Sequence, residues 1–201
     1  MENTQSFKYV ELASYQHAKN NSYWSGDAFF CSESEGYFIC AVSDGLGSGQ
    51  YAYEASKVVM DYIQENHHEE LTVLMENCNR LLLNKRGVVL SILKVDYINK
   101  EIIYSNAGNI NCIFYSPDGV LTRTIPKRGF LSGKKLVFTT QHLPYKKGMR
   151  FIIFTDGLDL KSTVQKTITK ENSVAAVIHT VRKIADFKKD DTMFVVGDVF
   201  I

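Results

Sequence analysis

One stretch constrains this chain more than any other: Phe38-Ile39-Cys40-Ala41-Val42-Ser43-Asp44-Gly45-Leu46-Gly47-Ser48-Gly49. The run Phe38–Val42 reads as a strand buried on both faces, because continuous β-branched and aromatic residues fit a covered strand. It stops at Asp44, which places a carboxylate rigidly at the strand's exit. Gly45, Gly47 and Gly49 follow, and glycines let a backbone turn sharply and approach a ligand closely. A helical pattern then begins near Gln50. Strand, carboxylate, glycine turn and helix together present one acid and one backbone carbonyl to a hard metal ion. The same order also suits a plain strand-to-helix turn with Asp44 as a cap. A nucleotide loop fits less well. Gln50 stands where a dinucleotide fingerprint needs glycine, and no Gly-Lys-Ser/Thr triplet follows.

A chain of 201 residues, 45% hydrophobic and 22% charged, with 3 Pro and 13 Gly, suits a single domain over 1–201. No separate regulatory domain, long linker or disordered arm is expected. The net charge of +1 argues against a general nucleic-acid or membrane-surface binder, and no apolar run is long enough to span a membrane. Charge is unevenly placed, however. Glu54 to Glu76 carries six acids against Lys57, and Gly119 to Thr155 carries eight bases and no acid. Cys31, Cys40, Cys78 and Cys112 form no CxxC pair and no secretory leader is recognisable. They read as reduced, mostly buried thiols of a cytosolic protein.

Along the chain, Phe7–Tyr15 suggests a first strand, running into a polar loop at His17, Lys19, Asn20 and Asn21. Residues 28–32 and 37–43 suit a hairpin turned at Glu33–Gly36. Asp27 opens its first strand and Asp44 closes its second, so the two carboxylates are expected to be neighbours. Ala55, Val58, Val59, Tyr62 and Ile63 fall at helical spacing, as do Leu71, Leu74, Met75, Cys78 and Leu82. His67 and His68, in the polar break between these helices, are expected to face solvent. With His17, His142 and His179 they form no spaced cluster, which argues against a zinc site. Strands are expected at Val88–Val95, Ile102–Ser105, Ile110–Tyr115 and Val120–Ile125. Their short connections imply an antiparallel meander, with Asn106–Asn109 a polar hinge. Pro126–Gly148 reads as irregular and basic. Met149–Thr155 is a buried strand that ends in Asp156-Gly157, repeating Asp44-Gly45. Lys161–Lys170 is irregular or a short helix. A last helix carries Val174, Val177, Ile178, Val181 and Ala185, capped at Asn172 or Ser173. Lys189-Asp190-Asp191-Thr192 then enters a closing strand.

Asp27, Asp44, Asp156 and Asp190 or Asp191 thus share one context, the beginning or end of a hydrophobic strand. Clustered carboxylates repel unless protons or cations neutralise them. Mn²⁺ and Mg²⁺ prefer such oxygen ligands, and two ions roughly 3.5–4 Å apart activate water and polarise a phosphoryl oxygen. Scattered caps and turn acids remain the other reading of the same residues.

Ser-Gly-Asp27, Asp44-Gly45-Leu46-Gly47, Asn106-Ala107-Gly108-Asn109, Phe154-Thr155-Asp156-Gly157 and Asp190-Asp191-Thr192, in this order, resemble the metal-dependent serine/threonine protein phosphatases of the PPM family. The likeness is strongest to its bacterial, SpoIIE-like branch, and within that branch to the feedback phosphatases of the stressosome. The resemblance covers nearly the whole chain. It implies an α+β, four-layer αββα sandwich of two antiparallel sheets flanked by helices. Asp44 would bridge two Mn²⁺ or Mg²⁺ ions, and the Gly45 carbonyl would bind one. Asp156 and Asp190 would complete the second ion's shell. Asp27 would bind or orient metal waters. Asp191 would bind an extra ion or support Asp190, and Gly108 and Asn109 would shape the floor.

The implied reaction is direct hydrolysis of a phosphoserine or phosphothreonine ester by a metal-bridging hydroxide, with Asp44 and Asp27 as the catalytic pair. The implied substrates are phosphorylated, STAS-domain stressosome proteins, giving negative feedback on the sigma-B stress response from a cytoplasmic monomer. Two departures stand out. Leu46 replaces the His that follows Asp-Gly in eukaryotic members, and no Arg precedes Asp27, where His17 and Lys19 are the basic candidates. These departures motivate an alternative, a non-catalytic phosphoprotein-binding module on the same fold. The basic segment Arg123–Arg150 lies where the family often carries a mobile flap, and suits either a steering surface for an acidic partner or a merely solvated face.

Overall fold

The computed structural model describes residues 1–19, 22–184, 186, 187 and 190–201. The chain runs through β1 (Glu2–Ser6), β2 (Val10–His17), β3 (Asp27–Ser34), β4 (Tyr37–Gly45), α1 (Gln50–Asn66), α2 (Leu71–Leu81), β5 (Val88–Asp96), β6 (Glu101–Ala107), β7 (Asn111–Tyr115) and β8 (Leu121–Arg123). It continues through β9 (Gln141–Pro144), β10 (Met149–Phe154), β11 (Leu158–Asp159), α3 (Ser162–Ile168), α4 (Val174–Ile184), β12 (Asp186–Phe187) and β13 (Thr192–Val199). One antiparallel sheet has the order β3-β4-β5-β6-β9, the other β1-β2-β13-β10-β7-β8, and β11 and β12 form a short pair of their own. The expected Asn20–Asn21 loop, Ala185 and Lys189 lie outside the described residues.

The continuous apolar runs follow from burial on two sides. In β4, Phe38, Cys40 and Val42 face the opposite sheet, where they meet Leu12, Phe151 and Val195. The alternate residues Ile39 and Ala41 face α1 and α2 through Val59, Ile63, Leu74 and Met75. The second sheet divides its residues in the same way. Phe151 and Ile153 point inward, whereas Ile152, Phe154 and Val196 pack beneath α3 and α4 against Val164, Val177 and Val181. Each such side chain contributes about 1.5–3 kcal/mol on burial, so the expected four-layer αββα order is the one that covers every apolar face. Ser173 caps α4, its Oγ accepting the Ala176 N–H at 3.2 Å.

Several expectations need correction. The strands from Val88 onward do not form one meander, because β6 and β7 belong to different sheets. The Asn106–Asn109 hinge carries the chain between them. Gly108 has φ 114, and a Cβ there would stand 2.3 Å from Val89 Cγ1, so the crossing requires glycine. The basic segment is also more ordered than its composition suggests, since β9 pairs with β6 and Leu131 bridges to Val88. The strand expected from Phe7 begins only at Val10, and an unforeseen β1 precedes it, tied to β2 by a turn in which the Phe7 N–H donates to the Val10 carbonyl. His67 does not simply face solvent. Its Nδ1 lies 2.8 Å from the Tyr37 hydroxyl, and burial lowers its pKa.

Candidate functional site

The antiparallel register sets the geometry. Asp27 at the start of β3 is the ladder partner of Asp44 near the end of β4. In the other sheet β10 leads out into Thr155-Asp156, and Asp190-Asp191 leads into its neighbour β13. Both sheets therefore deliver their acids to one end of the sandwich.

Asp27 is 2% exposed. Its Oδ2 accepts a hydrogen bond from Thr155 Oγ1 at 2.9 Å, and its buried Oδ1 has no partner among the described residues. Burial, then repulsion from Asp44, holds its carboxyl well above the usual carboxylate range. Asp44 is partly exposed. Burial first, and then Asp156, Asp190 and Asp191, push its pKa up to about 7. Asp156 Oδ2 accepts from Asn109 Nδ2 at 2.9 Å. Asp190 Oδ1 accepts the Asp191 N–H at 2.9 Å, with Lys19 Nζ at 3.6 Å. Asp191 is occupied differently. Its two oxygens accept the backbone N–H groups of Gly26 and Lys19, each at 2.7 Å.

The backbone around Asp44 is fixed as firmly. The Gly45 N–H donates to the Gly26 carbonyl at 3.0 Å, and Ser56 Oγ donates to the same oxygen at 2.6 Å. A Cβ on Gly45 would lie 2.3 Å from the Ala52 carbonyl oxygen, so α1 packs directly on the turn. The residue at the N-cap of α1 is Gly49, and no side chain caps the helix. Asp44 is therefore not a helix cap, and the plain turn reading loses its support.

The carboxylates fit a hard divalent cation. A buried, orphaned oxygen on Asp27 and the mutual repulsion felt by Asp44 are the marks of acids that lack positive charge. Among the described residues no three acidic, Cys or His side chains close into a ready-made cage. No thiol competes as a nucleophile. All four cysteines are free and three are buried, and burial raises Cys78 to about 12.

The sequence-derived candidates Asp27, Asp44, Gly45, Asp156, Asp190 and Asp191 thus gather in one place. Asn109 joins them through Asp156, and Gly108 packs on Val89, the ladder partner of Asp44. Sequence reasoning gave no part to Thr155, Ser56 or the Lys19 amide. The signal for Thr155 was present, since it directly precedes Asp156 in a quoted motif. Ser56 looked like one more residue of an amphipathic helix.

Comparison with known proteins agrees with this picture. The profile of the stage II sporulation protein E (SpoIIE) family matches residues 34–199. Phosphoserine phosphatase RsbX of Bacillus subtilis (strain 168) is 33% identical over 192 residues, 96% of each chain. A crystal structure of RsbX in complex with magnesium superposes with a TM-score of 0.92 at 33% identity, covering 99% of this chain and 100% of that one. The catalytic domain of the serine/threonine phosphatase PstP, in complex with two manganese ions, shares the fold at 15% identity and a TM-score of 0.72, covering 96% and 99%. A family profile over most of the chain and a relative of this identity place the chain in one group: it belongs to the SpoIIE-type family of PPM serine/threonine phosphatases.

Proposed function

We propose that this chain is a Mn²⁺- or Mg²⁺-dependent phosphoserine/phosphothreonine protein phosphatase, a single catalytic domain over residues 1–201. Its substrates are phosphorylated stressosome proteins, and its action feeds back negatively on the sigma-B response in the cytoplasm. One observation carries the reading: the Asp27–Asp44 ladder pair lies close enough to Asp156 and Asp190 to feel their repulsion, and among the described residues the one ion pair these acids make is that of Asp190 with Lys19 Nζ at 3.6 Å. The name of one relative, phosphoserine phosphatase RsbX, supports the phosphoserine class, and a structural neighbour described under the bacterial stressosome, 22% identical with a TM-score of 0.85, supports the pathway.

Asp44, the Gly45 carbonyl, Asp156 and Asp190 would hold two ions, with Asp27 beside them. When bound, the ions supply an activated water and neutralise charge on the phosphoryl oxygens. The chain's own residues do the rest. Asp27, poised by Thr155, orients water and takes up or holds a proton at its free Oδ1. Asn109 fixes the rotamer of Asp156. Asp191 acts by position rather than as a ligand, locking the Gly26 and Lys19 backbone so that Asp27 enters its strand at a fixed angle. Leu46 has no ionisable group and cannot act as the acid, so the leaving alkoxide takes its proton from water.

The test is phosphate release from phosphorylated stressosome proteins, with and without Mn²⁺, for the wild type and Asp44→Asn. Metal-dependent release abolished by the substitution is expected. Tight binding without release in the wild type would mean a docking module instead.

A further inference from the structure

β10 and β13 lead to Asp156 and Asp191 at one end, and carry the ladder partners Arg150 and Asp198 at the other. Along either strand the two ends are roughly 20 Å apart. At the end away from the aspartates, the β7–β8 turn, the sheet and α3 border a cavity of about 670 Å³. Pockets that take small organic ligands measure roughly 300–1,000 Å³. The buried part of the lining is polar. Arg150 Nε and Nη2 donate to the two carboxylate oxygens of Asp198 at 2.6 and 2.7 Å, and Nη1 donates to the Ile168 and Glu171 carbonyls. Gln165 is equally committed, accepting from Arg123 and donating to the Leu160 carbonyl. The Tyr115 hydroxyl is not. Tyr115 lines the same cavity and is 5% exposed, yet its buried hydroxyl has no partner among the described residues. Buried hydroxyls almost always have one.

The outer part of the lining is apolar. Val120, Leu121 and Phe200 all border the cavity and are all exposed, and such side chains gathered at one recess mark a binding surface. The charge there is one-sided. Asp198 cancels Arg150, and Glu171 accepts the Thr180 hydroxyl. Lys166 remains, lining the cavity with an ammonium that has no partner among the described residues. Arg123 adds a second positive charge from β8. Burial pushes the Tyr115 hydroxyl up to about 12, and the guanidiniums of Arg123 and Arg150 pull against that rise. We propose that this cavity binds a small organic anion with an apolar body. The anionic group meets Lys166 and Arg123, the body covers Val120, Leu121 and Phe200, and a polar atom of the ligand gives the Tyr115 hydroxyl its missing partner. A neutral ligand would leave the two cations unanswered, and a bare inorganic anion would leave the apolar rim wet. The site does not depend on what the aspartate cluster does.

The experiment titrates the Mg²⁺-loaded full chain with anilinonaphthalene sulfonate, an aromatic monoanion, and reads its fluorescence. The wild type is expected to bind it saturably at one site. Val120→Glu and Lys166→Glu, both at exposed positions, should each weaken binding about tenfold. Neutral phenylnaphthylamine, which keeps the apolar body, should bind about tenfold more weakly than the sulfonate. Tyr115→Phe should weaken the sulfonate as well, without lowering the melting temperature of the ligand-free chain, because its hydroxyl has no partner to lose. No saturable binding by the wild type, or binding that none of the three substitutions weakens, would overturn the assignment. Equal affinity for the neutral amine would overturn its anionic class.

Discussion

Thr155 and Asp27 come from opposite sheets and meet at 2.9 Å, the threonine hydroxyl donating to the buried carboxylate. The same oxygen of Thr155 accepts the Met193 N–H at 2.9 Å, so one hydroxyl joins β13, the exit of β10 and the start of β3. The nearby bond from the Gly26 N–H to Asp191 Oδ2 makes a second tie between the sheets. The candidate site is therefore also the place where the two halves of the sandwich are fastened.

Thr155→Val, similar in shape but lacking the hydroxyl, should cost about 2 kcal/mol of stability, because it leaves a buried carboxylate oxygen and a buried N–H without partners. Urea denaturation of the metal-free protein measures it. A loss under about 0.5 kcal/mol would mean that the tie contributes little.

The acids predict a pH dependence of the metal-free fold. Asp44 rises in the folded state from 3.8 to about 7, and Asp27 rises too. A raised folded pKa means the folded state binds protons more tightly than the unfolded chain. Its stabilising contribution is complete below about pH 4 and fades as pH climbs through 7. With a chelator present, melting temperature should fall from pH 5 to pH 8. Asp44→Asn should flatten that fall and be more stable at pH 8, by about 4 kcal/mol at most. Saturating Mn²⁺ should restore the wild type and do less for the variant. Thermal melts at four pH values read all of this.

Asn109 holds Asp156, which the proposed function makes a metal ligand, and a group that orients a metal-binding carboxylate typically matters by about 10–100-fold in affinity or activity. Asn109→Ala should raise the Mn²⁺ concentration for half-maximal hydrolysis about tenfold, with little change in melting temperature. A titration of activity against Mn²⁺ decides it.

Lys134 and Lys135 are exposed, on a segment whose backbone is pinned by Asn79, which donates to the Lys134 carbonyl at 2.8 Å. Replacing both with Glu should slow association with an acidic phosphoprotein about tenfold at low salt, less at high salt, while leaving turnover of a small phosphate ester intact. Stopped-flow association at two ionic strengths distinguishes steering from a passive solvated face.

The sequence disclosed most of this wherever a local pattern carries the information. Phe38–Val42 announced a covered strand because both of its faces are buried, and the Asp27–Asp44 pairing followed from hairpin geometry alone. What stayed hidden depends on contacts distant along the chain. β9 is a short edge strand of Gln141–Pro144 with no apolar alternation, and it forms because β6 offers it a free edge. The crossing at Gly108 looks like any hairpin turn until the strand beyond it is seen in another sheet. The use of Asp191 as a backbone clamp rests on Gly26, 165 residues away, and no spacing rule reaches that far.

The place of β13 has one more consequence. It lies in the interior of its sheet, between β2 and β10, yet it follows every other described strand in the chain. A ribosome-bound or truncated molecule can close its β3-β4-β5-β6 meander early, through contacts near in sequence, while a slot stays open between β2 and β10. Pairings so far apart in sequence form slowly. The insertion of β13 brings Asp190 and Asp191 to the cleft and seals the sandwich in one event. Partly made copies should thus be silent, and the appearance of catalysis during refolding should report the arrival of this strand rather than the collapse of the core.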